Sequence, residues 1–389
     1  MVVFFQVVKM RVMVGIPSYN NADTIGFVVK QAAEGLKKYF GGGIIANADG
    51  GSSDGTREVV MKTEVPDGVE VMSFVYKWPI PGKGSAMKEL MELARDKGVD
   101  ALVFVDSDLR SITPEWIYKF AKPIEDGYDF VAPLYIRHKY DGTITNNIAY
   151  PMTVSLYGYN IRQPIGGDFG VSAGLIDVYL SDEEIWKTDV ARFGVDIFLT
   201  TTALAEGFRV IQTALGLKIH NPKDPAASLG PMFNQVVGTL FMLMKKYEEK
   251  WRPVRKIKEV ETFGSIEWQE PKEVKVTLEL LKQKSRELFR ENEAILKKVL
   301  SDETFVQVTK ALETFEFDDV LWSHVLFDGA VAYKNGILKN AEPLIPLYFA
   351  KTADFVEKTK ELTTAEAEKI IQERARIFLK EKDYLLERW

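Results

Sequence analysis

Two carboxylates one residue apart close an apolar run in Leu102-Val103-Phe104-Val105-Asp106-Ser107-Asp108. Side chains alternate along extended backbone, so Asp106 and Asp108 share one side at the end of a buried strand. Hard carboxylate oxygens placed there suit Mg²⁺ or Mn²⁺, ions that also bridge diphosphate oxygens. An ordinary Asp-Ser-Asp turn reads the same in isolation, and three other loops favour the chemical reading. Ile16-Pro17-Ser18-Tyr19-Asn20-Asn21 makes a turn able to hold the edge of a base or ribose. Asp49, followed by Gly50-Gly51-Ser52-Ser53-Asp54-Gly55-Thr56, offers a carboxylate to a uracil or guanine and a helix start at Asp54. Pro81-Gly82-Lys83-Gly84 sets a lysine and flexible backbone before a helix, where a phosphate could sit; it lacks the spacing of a P-loop.

The elements that must position these loops alternate in type. Val12–Ile16, Gly43–Ala48, Val69–Tyr76 and Ala101–Val105 read as strands, with helices over Ala22–Tyr39 and Ser85–Lys97. Such alternation implies an α/β fold, a mostly parallel Rossmann-like sheet with helices on both faces, and ligands bind such sheets at the carboxyl ends of their strands. The polar loops after Ile16, Ala48, Tyr76 and Val105 all fall at that edge. Beyond about residue 225 the texture turns helical: Pro231–Trp251, Val274–Val299, Asp302–Thr314 and Thr364–Trp389 carry helical patterning, punctuated by Pro253, Pro271, Pro343 and Pro346. The expected organisation is a catalytic domain over 1–225 and a mainly helical region over 226–389 that packs on it or mediates homo-oligomerisation.

Composition narrows the classes. The 389 residues are 46% hydrophobic and 27% charged, with a net charge of -6, which gives no electrostatic reason to bind nucleic acid. The absence of cysteine excludes disulfides, thiolate metal sites and cysteine nucleophiles. The apolar stretch Met1–Ile16 runs straight into Pro17 without a small-residue cleavage site, so it reads as a buried strand and not a signal peptide. Met232–Met244 is too short to cross a bilayer. A cytoplasmic protein without a membrane span is the expectation.

In order, Ile-Pro-Ser-Tyr-Asn, Asp-Gly-Gly-Ser-Ser-Asp-Gly-Thr and Asp-Ser-Asp resemble the loops of GT-A nucleotide-sugar glycosyltransferases. Gln163-Pro164-Ile165-Gly166-Gly167-Asp168, then Gly194-Val195-Asp196, then His220 resemble the retaining mannosylglycerate synthases and glucosyl-3-phosphoglycerate synthases, which make compatible solutes or their precursors. The likeness spans roughly residues 10 to 250. It implies that Asp108 and His220 bind Mg²⁺ or Mn²⁺, with Asp106 beside them toward the ribose and the metal's waters. It implies that Lys83 meets the diphosphate while Pro17, Ser18, Asn20 and Asp49 surround the nucleotide, and that Gly166 and Gly167 let backbone approach the donor sugar. Asp196 would orient sugar or acceptor. Gly142, Thr143 and Thr145 match a loop that binds glycerate in the family.

Other readings stay open at this point. A lone histidine at the end of Ala214–Ile219 reads as a surface or capping residue; with the Asp-Ser-Asp pair and the chain order, His220 reads as a ligand. Arg137, His138, Lys139 and Arg162 read equally as recognition of an anionic acceptor or as a solvated charge run, and His324 as a packed helical residue. Phosphoglycerate-using relatives carry an arginine where this chain has Thr143, which tilts the acceptor toward free glycerate, although Arg137 or Lys139 could substitute. Asp196 or Asp168 acting as general base from the opposite face would invert the product. The donor would be a GDP-, UDP- or ADP-hexose. A polyprenyl-phosphate transferase, a nucleotidyltransferase and a non-catalytic binding module are the rivals.

Overall fold

The computed structural model describes residues 10–220 and 230–389. The expected boundary at 225/226 and the first nine residues of the Met1–Ile16 run lie outside them. Eight strands form one sheet: β1 Val12–Ser18, β2 Gly43–Asp49, β3 Val69–Val75, β4 Ala101–Phe104, β5 Phe130–Ile136, β6 Phe169–Ser172, β7 Val210–Leu217 and β8 Thr262–Phe263. Their spatial order is β3-β2-β1-β4-β6-β5-β7-β8. All pairings are parallel except those of β6, which runs antiparallel to both β4 and β5. β1 and β4 are buried at every residue, as central strands covered on both faces must be.

Two apolar cores flank the sheet. The smaller packs the helices Ile25–Gly35 and Pro114–Glu125 against one face, through Val28, Val29, Ile117 and Phe120. The larger runs without a break from the other face into the C-terminal helices: Phe104, Met152 and Phe198 belong to the same cluster as Phe241, Trp322 and Tyr348. The helical region therefore shares the core of the sheet region.

The C-terminal helices are Gly230–Lys246, Glu248–Trp251, Leu278–Val299, Asp302–Thr314, Asp319–Lys334, Ile345–Thr359, Thr364–Lys380 and Lys382–Arg388. Asp302–Thr314 has the expected bounds, and Ser301 caps it by accepting from the Thr304 amide. Val274–Val299 shortens to Leu278–Val299, and Thr364–Trp389 divides after Lys380. Among the described residues, no helix is long and apolar enough to cross a membrane.

Candidate active site

A cavity of about 710 Å³ opens at the carboxyl ends of β1, β4 and β7, bounded on its far side by the 137–145 loop and by Met232 and Val236 of the Gly230–Lys246 helix. Two close approaches force glycines into its walls. A Cβ on Gly84 would lie 1.8 Å from the Val190 carbonyl, so the helix that carries Lys83 seats against segment 190–192 only without one. Gly167 has φ +92°, and a Cβ there would come within 2.2 Å of Asp106 Oδ2.

On the strand-end wall, charges alternate through five side chains. Tyr135 OH and Lys218 Nζ both donate to Asp168 Oδ2, the lysine at 2.8 Å. Lys218 Nζ also donates to Asp106 Oδ2 at 2.9 Å and to the Gly166 carbonyl at 2.8 Å. Lys83 Nζ takes Asp106 Oδ1 at 2.8 Å and the Gly167 carbonyl at 3.0 Å, and lies 3.3 Å from Asp196 Oδ1. The Asp106 amide completes the chain by donating to Asp168 Oδ1 at 2.7 Å.

The electrostatics follow from these pairs. Burial alone would raise the Asp106 carboxyl, but Lys218 and then Lys83 outweigh it and hold it well below the usual range. Burial likewise opposes charge on Lys83, yet Asp106 and Asp196 keep its ammonium well above its ordinary value. Asp108 is pushed up by burial and by its neighbour Asp106, with Lys218 and His220 pulling the other way. Asp196 is pushed up chiefly by burial, against the pull of Lys83. Among the described residues, Asp106, Asp108, Asp168 and Asp196 thus face two ammonium groups here, and the wall carries an excess of negative charge.

The structure brings most of the expected residues to one place. Pro17, Ser18, Lys83, Asp106, Asp108 and Asp196 line the cavity, as do Gly166, Gly167 and His220. Arg137, Gly142, Thr143 and Thr145 face them from the opposite loop. Three residues do not line it: Asp49 and Asp168 are buried behind the surface, and Asn20 is exposed outside the cavity. Asp49 is 0% exposed, and its oxygens accept from Ser18 Oγ, Ser52 Oγ and the amides of Gly51 and Ser52; its carboxylate shapes the loop from within. Asn20, at φ 53°, receives the Ser53 amide and braces the same loop. Asp168, also 0% exposed, has both oxygens engaged by Asp106, Lys218 and Tyr135. The helix expected at Asp54 begins at Thr56, because Asp54 Oδ1 takes the Thr56 amide in the turn before it.

His220 Nε2 lies 3.1 Å from Asp141 Oδ2, and Arg137 grips the same carboxylate through Nε at 2.9 Å and Nη2 at 3.0 Å. Thr143, 0% exposed, meets Tyr348 OH at 2.6 Å, so its hydroxyl is engaged with the helical region. Lys218, Tyr135 and Tyr348 had no part in the sequence reading. For Lys218 a signal exists: it precedes His220 by two, so continued strand alternation past β7 puts both on one side, and its amide does extend the ladder to the Ile136 carbonyl at 3.1 Å.

Sheet order, pocket position and the Asp-Ser-Asp strand end are similar to those of GT-A glycosyltransferases, the class that the loops resembled. Residues 13–176 match the family model described as Glycosyl transferase family 2. Over 137 residues the chain is 24% identical to the mannosylglycerate synthase of Rhodothermus marinus, a stretch that covers 34% of each protein. The chain thus spans about a third of the length of that curated relative. Among solved structures, glucosyl-3-phosphoglycerate synthase from Mycobacterium tuberculosis with Mn²⁺, uridine diphosphate and phosphoglyceric acid superimposes at TM-score 0.48 and 23% identity, covering 60% of this chain and 78% of that one. The same synthase with Mg²⁺ and uridine diphosphate gives TM-score 0.48 and 23% identity over 60% and 79%.

Proposed function

We propose that the protein is a retaining, metal-dependent hexosyltransferase. It moves mannose or glucose from a nucleotide diphosphate sugar onto D-glycerate or 3-phosphoglycerate, giving a compatible solute or its precursor. The observation that carries this reading is the placement of Lys83, Asp108 and Asp196 on one wall of a single cavity, opposite the Arg137–Thr145 loop.

A diphosphate entering a wall with excess negative charge requires added positive charge. Among the described residues, no three His, Cys, Asp or Glu side chains form a ready-made metal cluster. The resemblance makes Asp108 and His220 the protein donors to a divalent ion, with Asp106, whose two oxygens rest on lysines, beside them. Two protein donors suffice for an ion that shares diphosphate oxygens and keeps waters, the usual habit of Mg²⁺. When bound, it would neutralise charge growing on the leaving diphosphate.

The remaining work falls to side chains. Lys83 offers its ammonium to the diphosphate, and Asp196 accepts from sugar hydroxyls and holds the ring over the wall. The acceptor hydroxyl attacks the anomeric carbon as the bond to the diphosphate oxygen breaks. Its proton passes to that oxygen on the same face, so configuration is retained without a dedicated base. The engagement of both Asp168 oxygens speaks against that residue as an inverting base.

A donor-by-acceptor panel tests the reading, crossing GDP-mannose, GDP-glucose, UDP-glucose and ADP-glucose with D-glycerate and 3-phosphoglycerate, with Mg²⁺ or Mn²⁺ and with chelator. Metal-dependent product with an α-anomeric coupling constant by NMR is expected. Donor binding without transfer to either acceptor would sink the glycerate assignment, and a β-product would sink retention.

A further inference from the structure

We propose that Tyr348 is a positioning residue through which the C-terminal helices shape the acceptor loop and so set acceptor selection. The proposal rests on the reading of Arg137, Gly142, Thr143 and Thr145 as the acceptor side of the cavity. Tyr348 does not line that cavity; it lies fully buried on the helix Ile345–Thr359, with its hydroxyl 2.6 Å from Thr143 Oγ1. A threonine hydroxyl has one proton and two lone pairs, so this partner decides which of them Thr143 can turn toward a substrate.

The loop is held from the same side along its whole length. Lys139 Nζ donates to the Thr359 carbonyl at 2.7 Å and to the Leu362 carbonyl, beyond the end of that helix. Trp322 Nε1, from the helix Asp319–Lys334, donates to the Asn147 carbonyl at 2.7 Å. Arg374, from the helix Thr364–Lys380, reaches the Asn146 carbonyl at 3.1 Å and Asn147 Oδ1 at 2.5 Å. Three helices more than 150 residues downstream therefore satisfy polar groups that segment 139–147 would otherwise bury unpaired. Tyr348 also joins this clamp to the helix that bounds the cavity beside the loop: its ring packs on Phe233 with centroids 4.9 Å apart, and Met232 and Val236 beside Phe233 line the cavity. Loop and wall are thus set by one aromatic side chain that touches neither substrate.

Tyr348→Phe keeps the ring on Phe233 and deletes only the hydroxyl. The expected result is a five- to tenfold rise in acceptor KM, about one hydrogen bond's worth, with donor KM unchanged and kcat within about twofold. Backbone amides 142–147 should exchange faster by mass spectrometry, a measurement that needs no substrate. In a double-mutant cycle, Tyr348→Phe added to Thr143→Val should cost little beyond Thr143→Val alone, because Tyr348 acts through that hydroxyl. Wild-type acceptor KM together with wild-type exchange would overturn the proposal, as would a fall in kcat with both KM values unmoved. If the wild-type enzyme uses neither glycerate acceptor, the functional reading fails, and the exchange comparison alone still decides whether Tyr348 holds the loop.

Discussion

The two sides of the cavity are built by different means. On the proposed donor side, Lys83, Asp106 and Lys218 sit at the ends of strands or at a helix start, and each is fixed by bonds to another charged group or to the Gly166–Gly167 turn. On the proposed acceptor side, the 137–145 loop has little regular structure of its own and takes its shape from helices far along the chain. A rigid sheet edge can serve any chemistry that needs a diphosphate held, whereas a loop shaped by a distant partner can change preference without disturbing that edge. On the proposed reading, donor handling and acceptor choice should therefore be separable by mutation.

The largest expected effect breaks the donor side alone. Lys83→Met removes the ammonium between Asp106 and Asp196 and should lower kcat about a thousandfold, or about 4 kcal/mol, with fold retained by circular dichroism. A variant that keeps a tenth of wild-type turnover would show that Lys83 is not at the leaving group. Gly167→Ala acts on the same side through the backbone. Its methyl group meets Asp106 Oδ2 and φ +92° strains any Cβ, so the turn must shift and release Lys83. About a hundredfold loss in kcat is expected, with about 1–2 kcal/mol of stability lost in urea titration and acceptor KM nearly unchanged.

The smallest effect sharpens the acceptor side. Asp319 pairs with Arg374, which clamps Asn146 and Asn147, and with Lys351. Burial opposes its ionisation, but Arg374 and then Lys351 win and pull its carboxyl down to about 2. A depressed carboxyl adds stability above its unfolded value of about 3.9 and loses it as pH falls through about 2. Asp319→Asn should therefore cost about 2 kcal/mol in urea unfolding at pH 7. The gap from wild type should close between about pH 4 and pH 2, and a gap independent of pH would show that the loss comes from packing. Because Arg374 loosens with it, acceptor KM should rise while donor KM holds.

Apolar runs made β1 and β4 legible, and with them the edge where Asp106 and Asp108 stand, because a central strand buried on both faces is largely apolar. The helix Asp302–Thr314 was legible through its helical patterning, with one face buried through Thr304, Val308, Ala311 and Leu312. Asp319–Lys334 and Ile345–Thr359 were not read as helices: they are buried on nearly every side, so no polar stripe marks a period. The four-residue β6, inserted antiparallel between β4 and β5, gave no signal of its own.

Local chemistry along the chain thus determined the strand ends, the carboxylate pair and the lysine at the head of its helix, since each depends on residues close in sequence and on strand alternation. Tertiary structure alone decided that Asp49 and Asp168 turn inward as braces, that Lys218 bridges two carboxylates, and that Thr143 answers to Tyr348. Those outcomes depend on which groups across the fold compete for the same lone pairs and protons, and on burial making each unpaired one costly.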